Sequence, residues 1–384
     1  MKTYDAFPEP VGSYKVGRTQ MDFEYTASDR SKRELTAFVF YPSDSDEGKP
    51  TSTYMFPETF ELLSELPHIT AVANGDEILS IFSIDIETRC YDDLALSEKE
   101  RRYPVLFYVC GAGGSPERGT VVCTDLASTG YVVIAVGHQN SGMYKRKDGR
   151  LSNVSKEFSD IVVGYSSDPD VMALAGKMEM RPDEETAIEM CRSVFVLPSV
   201  VKLTKYAKLQ AEDVRHIADC FYEMDAGERD SIFKGRLLLD AGIGVFGHSY
   251  GGSTSAMVCR DDDRFVCGAG FDSGAFGVLD SDIGKPFMLL FSDPNYNMNA
   301  VIGANNSAET WYFAVDGVMH YDYCDLLFTN TKEALRGERD AMEMRSVLTD
   351  YTKTFFDHCI LQKAAGVEGL AFDGVEEIKT SKNK

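Results

Sequence analysis

The run Gly247-His248-Ser249-Tyr250-Gly251 fits G-x-S-x-G, and its flanks narrow sharply what this chain can fold into. Ile243-Gly244-Val245-Phe246 before it reads as a short buried strand. Gly252-Ser253-Thr254-Ser255-Ala256-Met257-Val258 after it is small at first and then able to run as a helix. Strand, sharp turn and helix together form the setting in which this pattern lifts a serine hydroxyl out of the backbone as a nucleophile. The flanking positions must be small because side chains there would collide with the neighbouring strand and helix. In a chain with 32 glycines the bare pattern is weak, and an incidental serine in a glycine-rich turn is the plain alternative. The strand-to-helix context favours the nucleophile, Ser249.

A serine needs a base, an acid to orient that base, and donors for the oxyanion. In this kind of fold the order along the chain is Ser, then Asp or Glu, then His. Two histidines follow Ser249. His320 comes after the strand-like Thr310–Val315 and the turn Asp316-Gly317-Val318-Met319, where the base belongs, whereas His358 lies in a C-terminal helical pattern. Two aspartates end strand-like runs: Asp272 after Phe265–Phe271, and Asp293 after Phe287–Ser292. Local pattern leaves both open as the acid, since either also suits a turn or a helix cap. One oxyanion donor is the N–H of the residue after the nucleophile, Tyr250. The second belongs to an earlier strand-to-loop turn. Pro104–Cys110 is a strand followed by Gly111-Ala112-Gly113-Gly114, which makes Ala112 the candidate.

Taken in order, these segments resemble the plasma-type platelet-activating factor acetylhydrolase family, serine-dependent and calcium-independent esterases of the α/β-hydrolase fold. The resemblance begins at Pro10–Thr19 and Val39–Ser43. It continues at Tyr103–Gly114, Asp125–Val133, Gly247–Gly252, Phe271-Asp272-Ser273 and His320–Asp325, and extends to the helix ending Tyr351–Asp357. It implies Ser249 as nucleophile, Asp272 as acid, His320 as base, and Ala112 and Tyr250 as oxyanion donors. The family takes its acid directly after the next strand, which suits the 23-residue step from Ser249 to Asp272. Two departures stand near the acyl pocket. Cys110-Gly111-Ala112-Gly113 occupies the place of the family's His-Gly-x-Gly, and Tyr250 stands where Phe is more usual.

Short apolar runs alternate with glycine-rich turns and helical segments over all 384 residues, the pattern of one α/β domain with a largely parallel sheet covered on both faces. Leu35–Tyr41 and Ile78–Ile86 read as early antiparallel strands. Val121–Ser128, Ala211–Met224 and Arg345–Leu361 read as crossover helices. About 100 residues separate the strand ending at Val136 from the nucleophile strand, far more than a crossover needs. A helical insertion over about 141–210 is therefore expected. Its Met172, Met178, Met180 and Met190 suit either a lid over variable apolar ligands or helices packed on the sheet edge. The segment over about 49–75, with Tyr54-Met55-Phe56 and Phe60–Leu63, suits a second flap.

The chain carries 61 acidic and 39 basic residues, a net charge of −22. That argues against nucleic acid and against anionic membrane surfaces as partners. No apolar stretch approaches transmembrane length, and Met1–Pro8 lacks the apolar core of a signal peptide. Nine cysteines with no C-x-x-C fit reduced thiols in a cytoplasmic protein. No metal-ligand spacing is present, so neither a metal nor a cofactor is expected. The reading is a serine ester hydrolase acting on a small-molecule or lipid ester. The resemblance implies short acyl groups on phospholipid-like or other amphipathic alcohols. A general carboxylesterase or a polyester-cleaving, cutinase-like hydrolase is the alternative, and a non-catalytic binding protein of the same fold is the more distant rival.

Overall fold

The β-strands of this chain are assembled in a computed structural model. It describes residues 4–64, 84–178, 180, 182–292, 301–329 and 336–378. In chain order the strands are β1 (Lys15–Thr26), β2 (Lys32–Ser43), β3 (Tyr91–Asp92), β4 (Val105–Val109), β5 (Val132–Gly137), β6 (Tyr144–Lys145), β7 (Leu151–Ser152), β8 (Ile243–His248), β9 (Phe265–Phe271), β10 (Phe287–Ser292), β11 (Thr310–Val315) and β12 (Val375–Glu377). The helices are α1 (Pro57–Ser64), α2 (Thr120–Ser128), α3 (Lys156–Ser166), α4 (Pro169–Met178), α5 (Glu184–Phe195), α6 (Pro198–Ala226), α7 (Tyr250–Asp261), α8 (Leu326–Thr329) and α9 (Ala341–Cys359).

Ten strands form one sheet in the order β12-β11-β10-β9-β8-β4-β5-β2-β1-β3, while β6 and β7 make a separate ribbon. From β5 through β11 every pairing is parallel; β1 with β2, β2 with β5, and β11 with β12 are antiparallel. The mostly parallel sheet with helices on both faces is the expected α/β-hydrolase fold. Because side chains alternate along a strand, the two faces have separate cores. Val105, Phe107, Val109 and Val245 face one core with α6 and α7. Leu106, Tyr108 and Phe246 face the other with α2 and α9. Arg345 on α9 donates two hydrogen bonds to Asp125 on α2, which joins the helices of the second face.

The elements depart from the sequence reading in places, as in α9, which starts at Ala341 and not at Arg345. Strand β1 escaped that reading because one of its faces is polar, so only Val16 and Phe23 stand out as apolar and buried. Most of the Ile78–Ile86 run lies outside the described residues, and residues 84–86 are in no strand. The crossover helix does not begin at Ala211. It starts at Pro198, whose fixed φ suits a first helical position, and runs 29 residues to Ala226. Its buried stripe of Val200, Leu203, Ala207, Val214, Ile217 and Phe221 is continuous across the presumed boundary.

The expected insertion holds α3, α4, α5 and the start of α6. Its methionines divide: Met172 is 63% and Met180 82% exposed, whereas Met190 is half-buried against the first core. The described part of the segment over 49–75 packs into the second core through Tyr54, Met55 and Phe60, and lines none of the cavity that Ser249 borders. The rest of that segment lies outside the described residues.

Candidate active site

Strand β8 is buried along its length and ends at His248. The chain must then reverse into α7 within one residue, and Ser249 takes φ 57° and ψ −122°. That conformation is strained for a residue with a side chain, at a cost of about 1–3 kcal/mol. The surroundings hold it there: the Ser249 N–H donates to Phe271 O at 2.7 Å, and the Gly252 N–H to Ser249 O at 3.0 Å. A Cβ at Gly251 would sit 2.1 Å from Val109 O, and one at Gly247 2.5 Å from the Gly251 backbone. Only glycine permits this approach.

The C-terminal ends of β8, β9 and β11 bring three side chains together. His320 Nε2 lies 2.9 Å from Ser249 Oγ, and His320 Nδ1 lies 2.6 Å from Asp272 Oδ2. An ionised carboxylate only accepts hydrogen bonds, so Nδ1 carries the proton and Nε2 is left to accept from the serine hydroxyl. Asp272 is buried, with φ 47°, and its Oδ1 accepts from both the N–H and the hydroxyl of Ser292, each at 2.8 Å. Burial opposes its charge, but hydrogen bonding and charge from His320 and the two Ser292 donors outweigh this. Its carboxyl is held below the usual carboxylate range. The rival acid, Asp293, lies outside the described residues.

His320 opens a short 3₁₀ turn, His320–Tyr323. Buried Asp322 organises this turn, accepting from the Met319 N–H at 2.8 Å and the Gly337 N–H at 2.7 Å. His248, the residue before Ser249, lies beneath it. Its Nε2–H donates to His320 O at 2.8 Å, and the two rings lie tilted at 40° with centroids 4.6 Å apart. Burial, and then the adjacent His320, pushes the His248 imidazole down to about 3, so it stays neutral and keeps its Nδ1 unprotonated. Sequence reasoning passed over His248, Ser292 and Asp322. A histidine in the variable position of the motif was the one visible signal among them.

Ala112 and Tyr250 border the same cavity as Ser249. The Tyr250 N–H is the first of α7, where helix geometry leaves it without an intrahelical acceptor. Ala112 sits in a turn pinned from the loop after β5: the Gly113 N–H donates to Ser141 O at 2.9 Å, and the Met143 N–H to Gly114 O at 3.0 Å. That loop is itself anchored below by His138, whose Nδ1 lies 3.0 Å from Asp213, a carboxylate also held by Arg33. Cys110, at the position of the missing histidine, is buried, and burial pushes its thiol up to about 12. Tyr250 uses the hydroxyl that a phenylalanine would lack to donate to Leu203 O on α6.

The cavity has a volume of about 680 Å³. One wall comes from the insertion, through Val162, Val163 and Tyr165 of α3. Tyr165 and Tyr250 each pack against Phe276 at 5.4 Å. Among the described residues no three His, Cys, Asp or Glu side chains group in a way that could hold a metal ion.

Comparison with known proteins agrees with this architecture. The family described as platelet-activating factor acetylhydrolase, isoform II, matches residues 1–172 and 201–356. A platelet-activating factor acetylhydrolase of Canis lupus familiaris is 24% identical over 85% of this chain and 69% of its own length. One of Bos taurus is 24% identical over 93% and 78%. A solved structure of a ferulic acid esterase from Streptomyces cinnamoneus superimposes with a TM-score of 0.68 at 18% identity, covering 98% of this chain and 99% of that one.

Proposed function

This chain belongs to the platelet-activating factor acetylhydrolase, isoform II, family and is a serine ester hydrolase, and from that premise we propose that Ser249 is its nucleophile, His320 its base and Asp272 the acid that orients the base. The observation that carries the assignment is the unbroken relay from Asp272 through His320 to a strained serine facing a cavity.

Ser249 Oγ attacks the ester carbonyl carbon while His320 Nε2 takes its proton. The carbonyl oxygen becomes an oxyanion held by the N–H groups of Ala112 and Tyr250, each contributing roughly 3–4 kcal/mol. Asp272 keeps the proton of His320 on Nδ1 and stabilises the imidazolium. Collapse of the intermediate breaks the bond to the alcohol oxygen, which leaves with the proton from Nε2. Water then attacks the acyl-enzyme through the same base, releasing the acid and restoring Ser249.

The substrates are esters of short acyl groups on phospholipid-like or other amphipathic alcohols. The names of the relatives support the acetyl end of that range. The wall of Tyr165, Tyr250 and Phe276 rings supports a limited acyl pocket. The nine thiols, all unpaired, fit a reducing compartment such as the cytoplasm. A fluorophosphonate probe should label the wild type and not Ser249→Ala, and acetyl esters should exceed dodecanoyl esters of the same alcohol in kcat/KM. Equal labelling of the two proteins would remove Ser249 as the nucleophile; clear preference for dodecanoyl would remove the short-acyl assignment.

A further inference from the structure

Five arginines are buried in the described structure: Arg18, Arg33, Arg118, Arg146 and Arg345. Four have a carboxylate partner, in Asp92, Asp213, Glu24 and Asp125 respectively. This is the rule for arginine, which stays charged in proteins and is costly to bury alone. Arg118 departs from it. Its residue is 9% exposed, no described carboxylate forms an ion pair with it, and its buried Nη2 has no hydrogen-bond partner. The adjacent Glu117 forms no ion pair with it: its carboxyl accepts a hydrogen bond from the Ser115 hydroxyl, and burial pushes it above the usual range against the pull of Arg118.

The place of this unpaired cation gives it a use. Arg118 lies in the 3₁₀ turn Pro116–Gly119, just after the oxyanion turn, and borders the catalytic cavity. Its carbonyl accepts from the Asp325 N–H at 2.8 Å, and it lines the cavity with Tyr321 and Cys324, so it sits on the side where the loop bearing His320 lies. Cys110, Tyr321 and Cys324 pack with the second core, whereas the lining that packs with the first core is apolar, in Val162, Tyr165, Leu203 and Phe276. An ester bound to Ser249 has its leaving oxygen beside His320, which must protonate it. The alcohol half therefore meets the cationic side and the acyl half the apolar side.

Building on the esterase reading above, we propose that Arg118 is a specificity-determining residue, which pairs with an anionic group, carboxylate or phosphate, on the alcohol half of the substrate. A guanidinium offers several N–H donors in a planar fork that matches both groups.

The test compares kcat/KM within two pairs of acetate esters. The first is 3-acetoxybenzoate with its methyl ester, and the second is the acetyl ester of glycerol 3-phosphate with glycerol monoacetate. The wild type should favour the anionic member by at least about tenfold in one pair or both, and which pair responds tells carboxylate from phosphate. In Arg118→Met that ratio should collapse toward one, while Arg118→Lys should keep part of it. If Arg118→Met does not fold, inhibition of wild-type 4-nitrophenyl acetate turnover decides. Benzoate or inorganic phosphate should compete, and neutral benzamide should not. A wild type that cleaves the neutral esters without any anion preference overturns the Arg118 proposal and leaves the esterase reading intact, as does an Arg118→Met protein that keeps the preference. A wild type that cleaves no member of either pair, nor 4-nitrophenyl acetate, removes the esterase reading and this one with it.

Discussion

Ser249 has a backbone that glycine would adopt more easily, and the chain keeps a hydroxyl there. Replacing Ser249 by Ala should therefore leave the fold intact, by circular dichroism and melting temperature, while turnover falls on the order of a millionfold. Asp272→Asn should cost about ten-thousandfold in kcat, because an amide at that place favours the wrong imidazole tautomer. The same change at Asp293 should leave kcat within a few-fold, and the opposite result would move the acid to Asp293. Ser249 was legible from the sequence because its signal is local, a strand, a turn and small neighbours. Asp272 was not legible from pattern alone, because two strands end in aspartate and nothing in either run tells which end points at the histidine. Ser292 and Asp322 left no trace at all: a serine that holds a carboxylate and an aspartate that caps a turn look like any others until the chain is folded. His248 carries a pH signature. Its imidazole titrates near 6.5 when unfolded and is pushed down to about 3 when folded. The folded protein then binds fewer protons than the unfolded one between those values, so stability is full above about pH 6.5 and falls as the pH drops through that window. Measured by urea unfolding, the stability gap between wild type and His248→Gln should narrow by about 1.4 kcal/mol per pH unit between pH 6 and pH 5. A gap that does not change with pH would mean that His248 is not a buried neutral donor.

Helix α3 illustrates what an element adds that its sequence does not announce. The length of the region before β8 made an insertion certain, and its methionines drew attention as an apolar surface. In the fold Met172 and Met180 face outward, and Val162, Val163 and Tyr165 of α3 line the cavity instead. Periodicity could not separate Met172 from the α3 residues, since both sit on helices with apolar residues and differ only in which face the tertiary packing chose, while Met180 lies outside any helix. The selected face is held by a chain of rings. Tyr165 and Phe195 meet Phe276 at 5.4 and 5.7 Å, and Phe276 meets Tyr250 beside Ser249. Phe276 thus joins α3 and α5 to the turn at Ser249, and its ring lines the apolar part of the cavity, the proposed acyl side. Phe276→Ala should open that side. The ratio of kcat/KM for octanoyl over acetyl esters should rise about tenfold or more, as several methylenes gain a place to bury at about 0.8 kcal/mol each, and the melting temperature should fall because a buried ring is lost. An unchanged chain-length profile in a folded variant would place the acyl group elsewhere.

At the scale of the whole molecule, composition and site pull in opposite directions. The chain carries a net charge of −22, spread over residues such as Asp263, whose side chain is 98% exposed, while the one unpaired buried guanidinium among the described residues lies in the cavity. The surface field repels anions at long range, and Arg118 attracts one at contact. Salt separates the two effects, because it screens exposed charges over a length that shrinks from about 30 Å at 0.01 M to about 8 Å at 0.15 M and reaches buried ones far less. For an ester presented in vesicles, the rate at low salt should be lower when part of the phosphatidylcholine is replaced by phosphatidylserine. The deficit should close as salt is raised to physiological strength, since approach to an anionic bilayer is then no longer opposed. A neutral soluble ester such as 4-nitrophenyl acetate should show little salt dependence over the same range, which separates an effect on approach from one on chemistry. Faster hydrolysis on phosphatidylserine vesicles, weakened by salt, would mean that a local basic surface governs encounter and that net charge is the wrong guide to how this enzyme meets its substrate.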